Sequence, residues 1–323
     1  MPGVARLAFV HDMTAPNGPL GPPEMVQVPE KSAYLAMRGA TGRFRRDLRQ
    51  RLLTPVMLGV RSFREAILNA LGARGHLVYC RLPEGNFFVD PSDRVIGSWL
   101  MWHGRWQREE IEQAVAVLAQ AGRLPDGAVF VDAGANIGTQ TVYAMRLGKF
   151  ARAVAFEPEP RNAELLTMNV AANGLSEKVT IVGKALGASE GEAVLHLHPR
   201  NKGAHSIGGA PSLDGTQSVT VPVTRMDGAL AALGVAPTQI GMIWIDVEGA
   251  EFEVMQGLGD LVGKAPLAIE YSPDRFSSAD GVAFRASLKA NYKNLHRLGA
   301  DGGEALGIEA LDEIKSIMDI LLY

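Results

Sequence analysis

Two hydrophobic periods alternate along most of this chain. From Ala128 onward come apolar runs of strand length: "AVFVD", "AVAFE", "VTIVG", "EAVLHLH", "SVTVPV", "GMIWID", "PLAIEY", "NLHRL" and "SIMDILLY". Between many of them, apolar residues return every three to four positions, which is the helical period. Helices are predicted over Thr139 to Leu147, Pro160 to Asn173, Met226 to Leu233, Ala250 to Leu258 and Ala279 to Asn291. Strands alternating with helices predict a parallel sheet covered on both faces. The last two strands have no clear crossover helix between them, so the terminal strand is expected to insert antiparallel.

Upstream the pattern is less regular. "HLVYCRLPEGNFFVDP" reads as a hairpin around a Pro-Glu-Gly-Asn turn. "QREEIEQAVAVLAQAG" reads as a helix, with Ile111, Ala114, Val115 and Leu118 on one face and Gly122 as its stop. Thr14 to Pro29 holds five prolines and two glycines, which no helix or central strand accommodates. Phe44, Leu48 and Leu52 line one helical face, with five arginines between Arg43 and Arg51 on the others. That face is either a phosphate- or membrane-contacting surface or an ordinary solvated one; interruption by Asp47 favours the second. Residues 1–98 thus form an N-terminal extension of arm, basic helix and hairpin, and 99–323 the main domain.

Composition adds exclusions. The 323 residues are 47% hydrophobic and 21% charged, enough apolar material for a full core. A net charge of −3 gives no global argument for nucleic acid or an anionic membrane. A single cysteine, Cys80, rules out a disulfide framework and sits in an apolar run, where it reads as a small buried hydrophobe. No run is long enough to span a membrane, and a cytoplasmic location is expected. The proline-rich arm has the length to wrap a second copy, as in a homo-oligomer.

The chemistry concentrates at strand ends, where open parallel sheets bind ligands. "VFVDAGANIGTQT" follows an apolar strand with Asp132, Gly134, Asn136 and Gly138, then turns helical near Thr139. Glycines there admit close backbone approach, and Asn136 tolerates left-handed geometry. The loop lacks the Gly-Lys-Ser/Thr ending of a nucleotide-hydrolysing loop. Glu157 ends the next strand, nineteen residues past Gly138, where a carboxylate can accept from both hydroxyls of an unphosphorylated ribose. NAD and S-adenosylmethionine both fit that requirement. The Gly-x-Asn-x-Gly pattern and the acidic Asp132, which would repel a pyrophosphate, favour the second.

"MIWIDVEGAEFEVMQGL" places Asp246, Glu248 and Glu251 within six residues at the same edge, and "PLAIEYSP" brings Glu270 beside them. These carboxylates suit a general base, a contact to substrate or to the methionine amine, or a divalent-ion site at Asp246, Glu248 and Glu270. Glu251 and Glu253 alternatively serve only a helix N-terminus. His205, in a Gly/Ser-rich loop, is either a surface residue or a catalytic one; His196 and His198 lack further metal ligands nearby. Trp99, Trp102 and Trp106 read as aromatic packing, with a ligand lid as the lesser alternative.

Together, "VFVDAGANIGTQT", "AFEPEPRNAELLTMNVAANG", "KALG" and "IWIDVEGAEFEVMQG" resemble the FkbM family of S-adenosylmethionine-dependent methyltransferases, over about Trp99 to Tyr271. The resemblance implies a class I methyltransferase fold, a Rossmann-like, doubly wound α/β sheet of seven strands with the last antiparallel. It implies methyl transfer to a hydroxyl oxygen of a sugar, glycan or polyketide-like acceptor, releasing S-adenosylhomocysteine. Cofactor contacts fall at Asp132, Gly134, Ala135, Asn136, Gly138, Glu157 and Pro158, with Lys184 and Ala185 flanking the adenine. Asp246 and Glu248 fall beside the reacting centre, with His205 and Glu270 as further catalytic candidates. Metal dependence stays open. Expected partners are a small-molecule or glycan acceptor, not nucleic acid. The competing readings are an NAD-dependent oxidoreductase or epimerase, which usually carries a Tyr-x-x-x-Lys pair absent here, and a non-catalytic cofactor-binding protein.

Overall fold

A computed structural model of the chain describes residues 8–10, 61–198, 201–207 and 217–323. The proline-rich arm and the arginine-rich helix expected around Phe44 lie outside the described residues. Strand β1 is Ala8–Val10 and helix α1 is Arg61–Gly72. The hairpin pairs β2 (Leu77–Leu82) with β3 (Gly85–Val89), antiparallel and in register Val78 to Val89. By compactness, 78–89 clusters with the described residues from Asp93 to Tyr323, whereas α1 belongs to a separate unit.

After α2 (Ile96–His103) and α3 (Arg108–Gln120), the winding begins. It runs β4 (Val129–Ala133), α4 (Thr139–Arg146), β5 (Arg152–Phe156), α5 (Pro160–Ala172), β6 (Val179–Val182) and the short β7 (Ala185–Leu186). Next come β8 (Gly191–Leu197), β9 (Ser206–Ile207), β10 (Gln217–Thr224), α6 (Met226–Ala232), β11 (Ile240–Ile245) and α7 (Glu251–Gln256). The chain finishes with β12 (Leu267–Tyr271), α8 (Ala279–Asn291), β13 (Asn294–Arg297), β14 (Glu304–Gly307) and β15 (Met318–Leu322).

The main sheet has the order β14-β13-β15-β12-β11-β4-β5-β6. β4, β5, β6, β11 and β12 run parallel, and β15 inserts antiparallel between β12 and β13. This is the doubly wound α/β sheet of a class I methyltransferase, seven strands with one reversed, to which β14 adds an eighth at the edge. "EAVLHLH" and "SVTVPV" do not join it. As β8 and β10 they pair with each other in a separate four-stranded sheet with β7 and β9. Their alternation is that of a hairpin with one solvated face, unlike the continuous apolar runs of the buried parallel strands.

Strand alternation sorts β4 between the two helical layers. Val129, Val131 and Ala133 pack in one core with Met226, Leu230, Val254, Met255 and Leu288 of α6, α7 and α8. Asp132, on the other face, meets Thr141 of α4. The hairpin is fastened to α5 by two asparagine side chains acting as strand partners. Asn169 Oδ1 accepts from the Phe88 amide at 2.6 Å, and its Nδ2 donates to the carbonyls of Phe88 (3.2 Å) and Ile137 (2.8 Å). Asn173 exchanges a pair of bonds with the backbone of Asn86. Cys80 of β2 is fully buried and burial pushes its thiol up to about 12, the inert cysteine its neighbours predict. Among the described residues no helix is long and apolar enough to cross a membrane.

Candidate active site

The carboxyl ends of β4, β5, β6 and β11, with the segment following β8, enclose a cleft of about 560 Å³. Gly134, Asn136, Glu157, Pro158, Lys184, Ala185, Asp246, Glu248 and His205 of the expected set all line it. Asn162, Lys202 and Gly203, which no sequence motif singled out, line it too.

Glu157 is the fixed point. It is 5% exposed, and its two carboxylate oxygens accept from the amides of Asn136 (2.8 Å) and Glu159 (2.9 Å). Burial pushes the carboxyl up to about 7, against the downward pull of those two amides, with Glu159 and Asp132 adding to the rise. Asn136 adopts left-handed backbone, φ 52°, as its position between two glycines suggested.

The loop glycines serve the protein's own packing. At Gly134, φ 84°, an added Cβ would lie 1.9 Å from the Asp246 carbonyl oxygen. At Gly138, φ 88°, it would lie 2.5 Å from Leu166 Cδ1 of α5. The missing side chains let β4's loop touch β11 and α5, and Gly134 lines the cleft as well. Gly138 and Ala135 do not line the cleft; the Ala135 amide donates to the Phe156 carbonyl at 2.9 Å.

Asp132 is also turned away. Its place on the α4 face of the strand buries it to 1% exposure, and it accepts from the Thr141 hydroxyl. Its second oxygen has no partner among the described residues, and burial lifts the carboxyl to about 7. Trp244, opposite it on β11, likewise has an unpartnered buried Nε1.

Asp246 is half-buried at the end of β11, its amide donating to the Ala133 carbonyl at 3.0 Å. Burial, then the negative charges of Glu248, Glu270, Asp319 and Glu251, raise it well above the usual carboxylate range. Glu248 occupies left-handed backbone, φ 50°, in the following turn. Glu251 is fully buried, and its Oε1 accepts from the Gly249 amide at 3.0 Å, the structural alternative foreseen for it. Glu270 stands off the cleft, directly across β15 from Asp319, whose carboxyl burial and Glu270 push up to about 7. Among the described residues no three His, Cys, Asp or Glu side chains are grouped to hold a metal ion, so Asp246, Glu248 and Glu270 do not form the divalent site left open by the sequence.

His205 faces the cleft with its tautomer assigned by geometry. Its Nδ1 accepts from the His198 amide at 2.9 Å. Burial, then Lys202 and His198, lower its pKa to about 4. A neutral imidazole whose Nδ1 accepts must carry its proton on Nε2. His205 therefore presents a donor from Nε2.

The methyltransferase FkbM domain model matches residues 132–313. "Methyltransferase 1" of Beauveria bassiana (strain ARSEF 2860) is 29% identical over 154 residues, covering 42% of this chain and 60% of that protein. "Methyltransferase sdnD" of Sordaria araneosa is 30% identical over 162 residues, covering 42% of this chain and 62% of that one. The chain thus spans about 60% of the length of the curated relatives it matches. The crystal structure of methyltransferase FkbM from Methylobacillus flagellatus KT aligns with a TM-score of 0.40 and 18% identity, covering 61% of this chain and 44% of that one. With the family's domain matched over more than half of its 323 residues, the chain belongs to the FkbM methyltransferases.

Proposed function

We propose that this methyltransferase uses S-adenosylmethionine to methylate a hydroxyl oxygen of a small-molecule or glycan acceptor. The observation that carries the cofactor assignment is Glu157. It is a buried carboxylate at the end of the second strand, with each oxygen held by one backbone amide and lone pairs left for two ribose hydroxyls. Pro158, Lys184 and Ala185 would border the base, and Gly134 and Asp246 the amino-acid tail.

When bound, S-adenosylmethionine supplies an electrophilic methyl carbon on a positively charged sulfur. The protein's part is alignment, exclusion of water and removal of one proton. Asp246 is suited to the last task, because burial, and then crowding by Glu248, Glu270 and Asp319, raises its proton affinity. The acceptor's O–H proton would pass to an Asp246 carboxylate oxygen as the methyl carbon moves from sulfur, which would keep the carbon–sulfur electron pair, to the acceptor oxygen. Glu248 would hold the hydroxyl, and His205 Nε2–H would donate to another acceptor oxygen.

Isothermal titration calorimetry with S-adenosylmethionine, S-adenosylhomocysteine and NAD on wild type and Glu157→Ala tests this reading. Binding of the first two, weakened at least tenfold in the variant, is expected. Binding of NAD alone would sink it.

A further inference from the structure

The backbone of one residue beside the cleft, Lys202, is held on both its carbonyl and its amide. The Lys202 carbonyl accepts from Asn136 Nδ2 and from Asn162 Nδ2, both at 3.0 Å. The Lys202 amide points at Asp93 Oδ1, 3.4 Å away. Asp93 is 3% exposed and is itself fixed, accepting from the amides of Val95 (3.0 Å) and Gly97 (2.7 Å) at the start of α2. Asn162 is fixed as well, its amide donating to Glu159 Oε2 at 2.6 Å. Beyond Lys202 the chain is tight. Gly203 donates to Asn201 Oδ1 at 3.0 Å, and an added Cβ there would lie 3.1 Å from Ile96 Cδ1. Three residues past the gripped peptide stands His205.

Besides accepting from the Ile137 amide on Oδ1 at 2.7 Å, Asn136 has two further partners of different kinds. Its backbone amide donates to Glu157 Oε2, and its side chain holds the Lys202 carbonyl. The same residue therefore touches the carboxylate assigned to the cofactor ribose and the segment that presents His205. Hydrogen bonds of this kind, buried at Glu157 and part-buried at Lys202, depend strongly on heavy-atom position.

We infer that Asn136 and Asn162 are positioning residues for the His205 imidazole, and that Asn136 transmits occupancy of the Glu157 carboxylate to that imidazole. This deepens the cofactor reading and rests on it. A ligand on Glu157 tightens the Asn136 amide contact, the Asn136 side chain steadies the Lys202 peptide, and the 201–207 segment settles with His205 Nε2–H toward the acceptor. The acceptor wall is then complete only once the cofactor is in place.

The test uses the full chain, S-adenosylhomocysteine as ligand, and two readouts. One is the imidazole ¹H–¹⁵N signal of His205, identified by its loss in His205→Gln. The other is amide hydrogen exchange over 201–207. In wild type, ligand should move the signal and slow exchange about tenfold. Asn136→Gly keeps left-handed backbone and the amide to Glu157 while removing the side-chain clamp, together with the acceptor of the Ile137 amide, a loss that Asn162→Asp does not share. It should bind ligand by calorimetry, leave the His205 signal at its free position, and change exchange by less than about twofold. Asn162→Asp sets an oxygen against the Lys202 carbonyl and should behave the same way, carrying the test if the glycine variant does not fold. Ligand binding that leaves the wild-type His205 signal unmoved would overturn the inference. So would an equal response in both variants. Absence of any binding heat in wild type is a different result, and takes the cofactor reading down together with this one.

Discussion

The α-carbon of Gly134 rests against the carbonyl oxygen of Asp246, so close that a Cβ built on the glycine would sit 1.9 Å from that oxygen. This contact joins the ends of β4 and β11, the two strands that carry the Gly-x-Asn-x-Gly loop and the acidic turn. Gly134→Ala must force them apart and also hold an alanine at φ 84°. A loss of about 3 kcal/mol or more is expected, read as a lower thermal midpoint with S-adenosylhomocysteine binding weakened at least tenfold. Gly138→Ala meets only the end of a leucine side chain and should be the milder change. Equal destabilisation by the two would show that the β4–β11 contact is not the constraint.

Glu157 predicts a pH dependence of binding. Its carboxyl, lifted by burial to about 7, must be ionised to accept well from ribose hydroxyls. Between pH 8 and pH 6 the ionised fraction falls about tenfold, and the affinity for S-adenosylhomocysteine should weaken by a similar factor. Glu157→Gln should bind weakly with a flat profile. Calorimetry across that range checks it, and an unchanged slope in the variant would assign the dependence to another group.

Asp132 predicts a pH dependence of stability. Its folded-state pKa is raised from 3.8 to about 7 by burial. The folded protein therefore holds this proton more tightly than the unfolded chain. The stability this contributes is full below pH 4, declines as pH rises, and is gone above about 7. Asp132→Asn should remove up to about 1.4 kcal/mol per pH unit from the fall of unfolding free energy across that window. Denaturant titrations from pH 4 to pH 8 measure it; identical slopes in wild type and variant would refute the assignment.

Asn169 predicts the strength of the hairpin's attachment. It is fully buried and bonded to both backbone groups of Phe88 and to the Ile137 carbonyl. Asn169→Ala leaves those groups without partners and should cost about 3 kcal/mol. Hydrogen exchange should rise first at the Phe88 amide. Asn169→Asp keeps the acceptor for that amide but loses both donated bonds, and should lose stability without that early local exchange.

The sequence by itself determined the order of the main strands and helices, the inserted terminal strand and which small and acidic residues stand at the strand ends. Those features are local: apolar runs of strand length, helical spacing, and small residues or carboxylates at fixed offsets. The place of Glu157 at the strand end and the left-handed backbone of Asn136 were legible because both follow from position in a strand–turn–helix unit. What only the tertiary structure decided depends on groups distant in the chain. Which face Asp132 takes, what fills the space beside Gly134 and Gly138, and that Glu270 stands opposite Asp319 follow from packing. That His205 is a donor follows from an amide seven residues away folding back onto its ring. Asn162 and Lys202 carry no signature of their own, because a side-chain amide meeting a backbone carbonyl 40 residues on is a product of the fold and leaves no pattern in the sequence.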